Sequence, residues 1–207
     1  MKLLLIRHGE SVANQERRNQ GQLDSPLSEQ GRAQAFALAH RLARESWAPS
    51  TLYASDLSRA AQTAQILADE LGVPLFLDAR LREFDTGVLS GLTSEEIERQ
   101  YPDLWQQFQS SPTWVTVPGA ESLDGLRRRL MSLVDQILAH HGKEEPVALV
   151  SHGGSLGVLL SHLLGLAPDQ PPPFHFDNTS LTMLDWTGRG ISLVFHNDTC
   201  HLDSQQE

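Results

Sequence analysis

Two widely separated apolar runs, Leu3-Leu4-Leu5-Ile6 and Val147-Ala148-Leu149-Val150, both lead through one polar residue into a histidine and a glycine: Arg7-His8-Gly9 and Ser151-His152-Gly153-Gly154. A short unbroken apolar run fits a strand buried on both faces, and such strands belong to parallel sheets covered by helices on either side. In an open sheet of that kind, ligands gather outside the carboxyl ends of the strands. If both runs lie in one sheet, His8 and His152 meet in one crevice beside the fixed cation of Arg7. The glycines then let an anion approach backbone N–H groups where the next helix begins. On this reading His8 is a strand-end side chain facing solvent, and the crevice is a place for chemistry on an anion.

A third element supplies another cation. Thr51-Leu52-Tyr53-Ala54 reads as a strand, and Ser55 or Asp56 can cap a helix carrying Leu57, Ala60, Ala61, Ala64, Leu67, Ala68 and Leu71 before Gly72 and Pro74 stop it. Arg59 falls in the first turn. A cation there opposes the helix dipole, at a cost of a few tenths to about 1 kcal/mol unless an anion offsets it. The plainer use of Arg59 is an ion pair with Asp56 or Asp69. Glu83, following Leu81-Arg82, has the same plain alternative in Arg80 or Arg82.

Strand-like and helix-like segments alternate without repeats or a long linker. The pattern predicts a three-layer α/β/α sandwich, with a mostly parallel sheet and at least one antiparallel strand. Helices are expected over 28–45, 56–71, 94–101, 122–141 and 155–164. Strands are expected over 2–7, 51–54, 75–77, 147–151, 181–185 and 191–196, the last two forming a hairpin through Trp186-Thr187-Gly188-Arg189-Gly190. With 207 residues, 40% of them hydrophobic, the chain is expected to form one domain over 1–202 with a polar tail at 203–207. Pro168 to Pro173 reads as a rigid surface loop leading into Phe174-His175-Phe176.

Charge and cysteine content narrow the function classes. A formal net charge of -10 disfavours a nucleic-acid partner, and it confines attraction of an anionic ligand to an arginine-rich cleft. A single cysteine, Cys200, cannot form an intrachain disulfide, and Met1 to Ile6 is too short for a signal peptide or membrane span. A cytoplasmic protein without a membrane partner is the expectation. Cys200 has no arginine in the residues after it, which argues against a cysteine-nucleophile phosphatase. A Gly-x-x-x-x-Gly-Lys-Ser/Thr loop is missing, as is any spaced metal-ligand motif among the nine histidines. Neither a metal nor another cofactor is expected, and His140, His141, His162, His175, His196 and His201 read as structural or exposed.

Five spaced motifs carry a resemblance: Arg7-His8-Gly9-Glu10-Ser11 with Asn14, Ser55-x-Leu57-x-Arg59-Ala60-x-x-Thr63-Ala64, Arg82-Glu83-x-x-x-Gly87-x-x-x-Gly91, Gly119-x-Glu121-Ser122, and Ser151-His152-Gly153-Gly154. In this order, over about residues 1 to 202, the chain resembles the histidine phosphatase superfamily, the phosphoglycerate mutase-like proteins. The resemblance implies that His8 is a phosphorylated nucleophile and that Glu83 is the proton donor and acceptor. It also implies that His152, Arg7 and Arg59 form the phosphate pocket, with Asn14, Gln20, Gly21 and Gly153 as further contacts. These residue types suit the task. Phosphoryl transfer needs positioning and stabilisation of spreading negative charge, and the planar guanidinium binds two oxygens at once. His8 must be neutral at its attacking nitrogen, so its other nitrogen needs an acceptor. Glu83 is expected to be held as a carboxylic acid in a partly apolar cleft.

The activity this implies is hydrolysis of a small phosphorylated metabolite, with inorganic phosphate as product. The alternatives are a cofactor-dependent phosphoglycerate mutase and a catalytically silent phosphate-sensing module. Mutases of the family carry a longer, arginine-rich insertion before the Gly-x-Glu-Ser motif, whereas Gly91 to Gly119 holds one arginine, Arg99. Tyr101 to Ser122, with Trp105, Phe108 and Trp114, is expected to be an irregular lid or the cover of a satellite core. Phosphosugars, phosphoserine, phosphoglycerate and ribazole phosphate stay open as substrates, and a homodimer stays open as an assembly.

Overall fold

The computed structural model describes residues 1–142, 144–167, 170–187 and 190–205. Six strands form one sheet: β1 (Lys2–Arg7), β2 (Thr51–Ala54), β3 (Leu75–Leu77), β4 (Val147–Ser151), β5 (Leu181–Thr187) and β6 (Gly190–Asp198), in the order β3-β2-β4-β1-β5-β6. The first four neighbours in that order pair in parallel. β5 runs antiparallel to β1, and β6 pairs antiparallel with β5, so β5 alone reverses direction. The expected hairpin is present, although Gly188 and Arg189 of its turn lie outside the described residues, as do Pro168 and Asp169 of the expected proline loop.

The side-chain alternation of a strand divides the core into two layers. Leu3, Leu5, Val147 and Leu149 pack against α6 (Leu123–His140) and α7 (Gly153–Leu163), through Leu126, Leu130, Leu133, Leu156 and Leu160. Leu4, Ile6, Ala148 and Val150 face the other way, against Leu38 and Leu42 of α2 (Glu29–Leu42) and Ala60, Ala64 and Leu67 of α3 (Ser58–Leu71). The sheet thus lies between two helical layers.

The short helix α1 (Val12–Gln15) escapes sequence reading because four residues carry no periodicity. α4 (Ser94–Gln100) starts at a capping box between Thr93 and Glu96. The stretch expected to be irregular holds a helix, α5 (Pro102–Ser110), begun by a proline at its first position, where no N–H is needed. It buries none of its residues fully. Trp105 and Leu104 cover a small cluster of Leu89, Ile97 and Val117. A 3-10 turn, Cys200–Gln205, takes in the first residues expected as tail, while 206–207 lie outside the described residues. Among the described residues no helix is long and apolar enough to cross a membrane.

Candidate active site

The two histidines emerge side by side because β1 and β4 are neighbours in register. Arg7 pairs with Ser151, and the next residue, His8, donates its backbone N–H to Ser151 O at 2.9 Å. The rings of His8 and His152 stand 5.1 Å apart, edge to face. His8 is only 3% exposed, which corrects the expectation of a solvent-facing side chain: its ring packs edge-on against the buried His152 and reaches the surface only through the cleft it lines. Thr63 Oγ1 accepts the Gly9 N–H, and a Cβ on Gly9 would meet Gly31 O at 2.5 Å. This backbone contact leaves room only for glycine.

His8 Nδ1 lies 2.7 Å from the Gly9 carbonyl. A carbonyl only accepts, so the proton sits on Nδ1 and the Nε2 lone pair is left for the cleft that His8 lines. Burial, reinforced by the positive charges of Arg59 and Arg7, holds the His8 pKa well below its ordinary 6.5. The ring is therefore neutral at neutral pH.

Arg59 is 1% exposed and pairs with neither Asp56 nor Asp69. Its Nη1 and Nη2 donate to the carbonyls of Leu23 and Gly21 at 2.8 Å each, and its Nε donates to His152 Nδ1 at 3.1 Å. Burial lowers its pKa to about 10, so it stays a cation. Because His152 Nδ1 accepts, the ring proton is on Nε2 and is donated to Ser55 Oγ at 2.9 Å. Burial first, and then the nearby cations Arg59, Arg129 and Arg7, lowers the His152 pKa as well. Ser55 thus serves His152 and does not cap α3. The cap residue is Leu57, without a side-chain bond, and Asp24 from a facing loop accepts both Ser58 N–H and Ser58 Oγ at 2.7 Å. That carboxylate offsets the dipole that Arg59 opposes. Arg7 donates through Nη1 to Phe176 O, while its buried Nε has no hydrogen-bond partner. A buried donor of this kind is costly to leave unmade, and an anion in the cleft would satisfy it.

Glu83 lines a cleft that also carries Phe84, Phe108 and Trp114, and its carboxyl oxygens are hydrogen-bonded. Its Oε1 accepts from Phe84 N, Ser155 N and Ser155 Oγ at 2.8 to 2.9 Å, and its Oε2 accepts from Gly154 N at 3.0 Å. The carboxyl group therefore docks on the first turn of α7. The ion pairs proposed as its plain alternative form elsewhere: Arg82 holds Asp56 through two bonds, and Arg80 holds Asp78.

His8, Arg7, Arg59, Glu83, Asn14, Gln20, Gly21 and Gly153 all line one cleft of about 690 Å³. His152 lies behind it, reached through Arg59. The Asn14 side-chain oxygen caps α1 through Ser11 N–H and Oγ, and Gln20 Oε1 accepts from Ser11 Oγ. Gly21 contributes its carbonyl to Arg59, and Gly153 opens α7 against the Arg7 side chain. The outer wall is aromatic: Phe84, Phe108, Trp114 and Phe174 line it, with Trp114 edge-on to Phe84 at 5.1 Å. Its cation, Arg18, is engaged by Glu16, Glu96 and the Gly91 carbonyl. His175 also lines it and faces Asp177. Cys200 is exposed and does not line this cleft. Among the described residues, no group of three or more His, Cys, Asp or Glu is arranged to hold a metal ion.

Sequence reasoning gave no role to Ser155, Thr63, Asn178 or Arg129. Ser155 and Thr63 bind Glu83 and Gly9, Asn178 Nδ2 donates to the His8 carbonyl, and Arg129 donates to the Glu83 carbonyl. Thr63 stood inside a quoted motif and Ser155 directly after another, whereas Asn178 and Arg129 carried no local signal.

Comparison with known proteins finds similar chains at the level of the whole sequence and fold. The sequence model of the histidine phosphatase superfamily (branch 1) matches residues 3–199. A protein of Yersinia enterocolitica named probable phosphoglycerate mutase GpmB is 37% identical over 98% of this chain and 95% of its own length. Mycobacterial glucosyl-3-phosphoglycerate phosphatase, solved with VO3, is 35% identical with a TM-score of 0.84, covering 95% of this chain and 98% of that one. Bacillus stearothermophilus YhfR is 32% identical with a TM-score of 0.86, covering 97% and 98%.

Proposed function

The chain belongs to the histidine phosphatase superfamily, and on that premise we propose that it is a metal-independent phosphomonoesterase working through a phosphohistidine on His8. The observation that carries this reading is the His8 ring: neutral, with Nδ1 tied to the Gly9 carbonyl and Nε2 left to the cleft between two arginines. In the first step Nε2 bonds to phosphorus as the ester P–O bond breaks, and Glu83 in its acid form gives its proton to the departing oxygen. In the second, the Glu83 carboxylate takes a proton from water, whose oxygen displaces His8 and releases inorganic phosphate. Arg7 and Arg59 face the charge that develops on the phosphoryl oxygens. His152 keeps the Arg59 guanidinium in place and contributes no charge of its own.

Hydrolysis is preferred over transfer between phosphoglycerate positions because of the outer cleft. A mutase must hold a second anionic group, and here the wall is aromatic while Arg18 is already paired. The relatives' names divide between the two activities, so the test must separate them. Purified protein is incubated with a phosphomonoester and quenched in alkali, and phosphate release is measured beside isomerisation of phosphoglycerate. The expected result is an acid-labile phosphoenzyme that is absent in His8→Ala, with hydrolysis exceeding isomerisation. Isomerisation outpacing phosphate release, and requiring a bisphosphorylated primer, would establish the mutase. A folded His8→Ala protein with substantial turnover would remove the covalent mechanism altogether.

A further inference from the structure

Arg129 lies on α6, outside the cleft lining, yet each of its five N–H groups has a partner: three go to carbonyls of the segment that carries Glu83 and two to the Glu121 carboxylate. Nη1 donates to the carbonyls of Arg80 and Arg82 at 2.7 Å each. Nη2 donates to the Glu83 carbonyl at 2.9 Å and to Glu121 Oε2 at 2.8 Å, and Nε donates to Glu121 Oε1 at 2.8 Å. Glu121 also reaches the segment through its own backbone, whose N–H donates to Asp85 O at 3.0 Å. Both side chains of the pair are 18% exposed. From the other side, Gln22 Nε2 donates to the Glu83 carbonyl at 3.2 Å. Three carbonyls within four residues, 80, 82 and 83, are thereby held by the Arg129 guanidinium, with Ser155 Oγ also donating to the Arg82 carbonyl at 2.9 Å, and the Glu121 backbone holds a fourth at 85. The segment itself contains only a single 3-10 turn, Ala79–Leu81, so its own hydrogen bonds do little to set where Glu83 points.

We propose that the Arg129–Glu121 pair is the positioning device for the proton-transfer carboxyl of Glu83. It acts on the backbone of Glu83 and leaves the carboxyl group to its contacts on α7. The inference rests on the proposed role of Glu83 as acid and base. A carboxyl that must reach a departing oxygen and then a water oxygen has to be held within a fraction of an ångström, and a misplacement of about 1 Å costs on the order of 10²-fold in rate. Only arginine can make this set of contacts. A lysine has three donors around a single point and cannot hold two carbonyls, a third carbonyl and a bidentate carboxylate together.

The test uses Arg129→Lys and Glu121→Gln in the full chain, each checked for native circular dichroism, with kcat/KM measured across phosphate esters of rising leaving-group pKa. Esters of alkyl alcohols need a proton on departure, whereas activated aryl esters need little. The expected defect is about 10²-fold for alkyl esters, falling towards the native rate as leaving-group pKa drops, and it disappears when Glu83→Gln is already present. A defect equal for all esters, or one that multiplies with that of Glu83→Gln, would show that the pair serves only the fold and would overturn the proposal. Phosphoenzyme formation from an activated aryl ester is measured alongside, because its absence in the native protein would instead overturn the parent mechanism. If Arg129→Lys does not fold, Glu121→Gln, which keeps the shape and removes the charge pair, carries the same measurement.

Discussion

Acidification from pH 7.5 to 5.5 is expected to destabilise the fold through its buried histidines, well before its carboxylates respond. His8 and His152 are 3% and 0% exposed, and their pKa values lie well below 6.5 because burial and neighbouring arginines resist a further charge. A histidine of this kind binds a proton more readily in the unfolded chain. Stability is therefore level above pH 6.5 and falls as pH drops below it, until the folded pKa is reached. For one group that takes up no proton in the fold, the loss between pH 7.5 and 5.5 is on the order of 1 kcal/mol. The two together give about 3 kcal/mol. His201, 6% exposed and lowered by burial to about 4, adds a comparable amount and brings the total to about 4 kcal/mol. Asp198, held at about 2 by Arg41, loses its contribution only below its ordinary 3.8 and does not enter this window. Against a total stability of about 5 to 15 kcal/mol, the effect is large. Urea unfolding at the two pH values measures it, in buffer free of phosphate and sulfate, since an anion bound only by the folded protein would add stability of its own. His8→Asn should remove about 1 kcal/mol of the pH-dependent loss. A native protein equally stable at both values, or a His8→Asn protein losing as much as the native one, would refute the assignment of neutral buried rings.

Three further outcomes follow from the same geometry. Arg59→Ala removes a donor facing the phosphoryl group, and kcat/KM should fall by about 10²- to 10³-fold. Inorganic phosphate should also lose its competitive inhibition, and a rate close to native would contradict the pocket assignment. Gly154→Ala would place a Cβ 2.8 Å from Glu83 Oε1, so the carboxyl group must shift. Alkyl esters should slow more than activated aryl esters, whereas a uniform loss would point to damage of α7 instead. Chelation with EDTA should leave turnover unchanged, because Arg7 and Arg59 supply the charge in the proposed mechanism; loss of rate restored by a divalent ion would contradict it.

The sheet was legible in the sequence because its central strands are buried on both faces and therefore read as unbroken apolar runs. Leu3 to Ile6 and Val147 to Val150 could hardly be anything else once each was followed by His-Gly. The strand order could not be read. Nothing in Leu75 to Leu77 says that it lies at one edge, or in Leu181 that its strand pairs with β1. Helix starts were misplaced where the cap came from elsewhere. Ser55 looked like a cap for α3 because its type is right, but the sheet directs its hydroxyl to His152, and Asp24, some thirty residues earlier, provides the bonds to Ser58. α5 was hidden because glutamines and scattered aromatics dilute its pattern, and because it rests on a small cluster without joining the main core.

The same distinction explains which parts of the site could be read. Residues whose role is fixed by the chain beside them, such as Arg7 and His8 at the end of β1, are visible as a local motif. Glu83 had its place in a motif but not its surroundings: a partly apolar cleft was expected, whereas nothing announced the hydrogen bonds of its carboxyl group to the first turn of α7, about seventy residues later. Arg129 had neither, since it stands in an ordinary amphipathic helix within the run Arg127-Arg128-Arg129. What separates it from its neighbours is rotation about the helix axis. Arg127 turns to Asp124 and Arg128 Nε to the Asp124 carbonyl, both on the same helix, while Arg129 crosses to Glu121 and the carbonyls around Glu83. At 3.6 residues per turn, neighbouring side chains point about 100° apart. Which of the three meets the Glu83 segment therefore depends on how Leu126, Leu130 and Leu133 seat α6 on the sheet, a tertiary choice that adjacent residues cannot encode. A function supported by backbone carbonyls is the least legible of all, because a carbonyl is present at every position and only the fold decides which ones face a guanidinium.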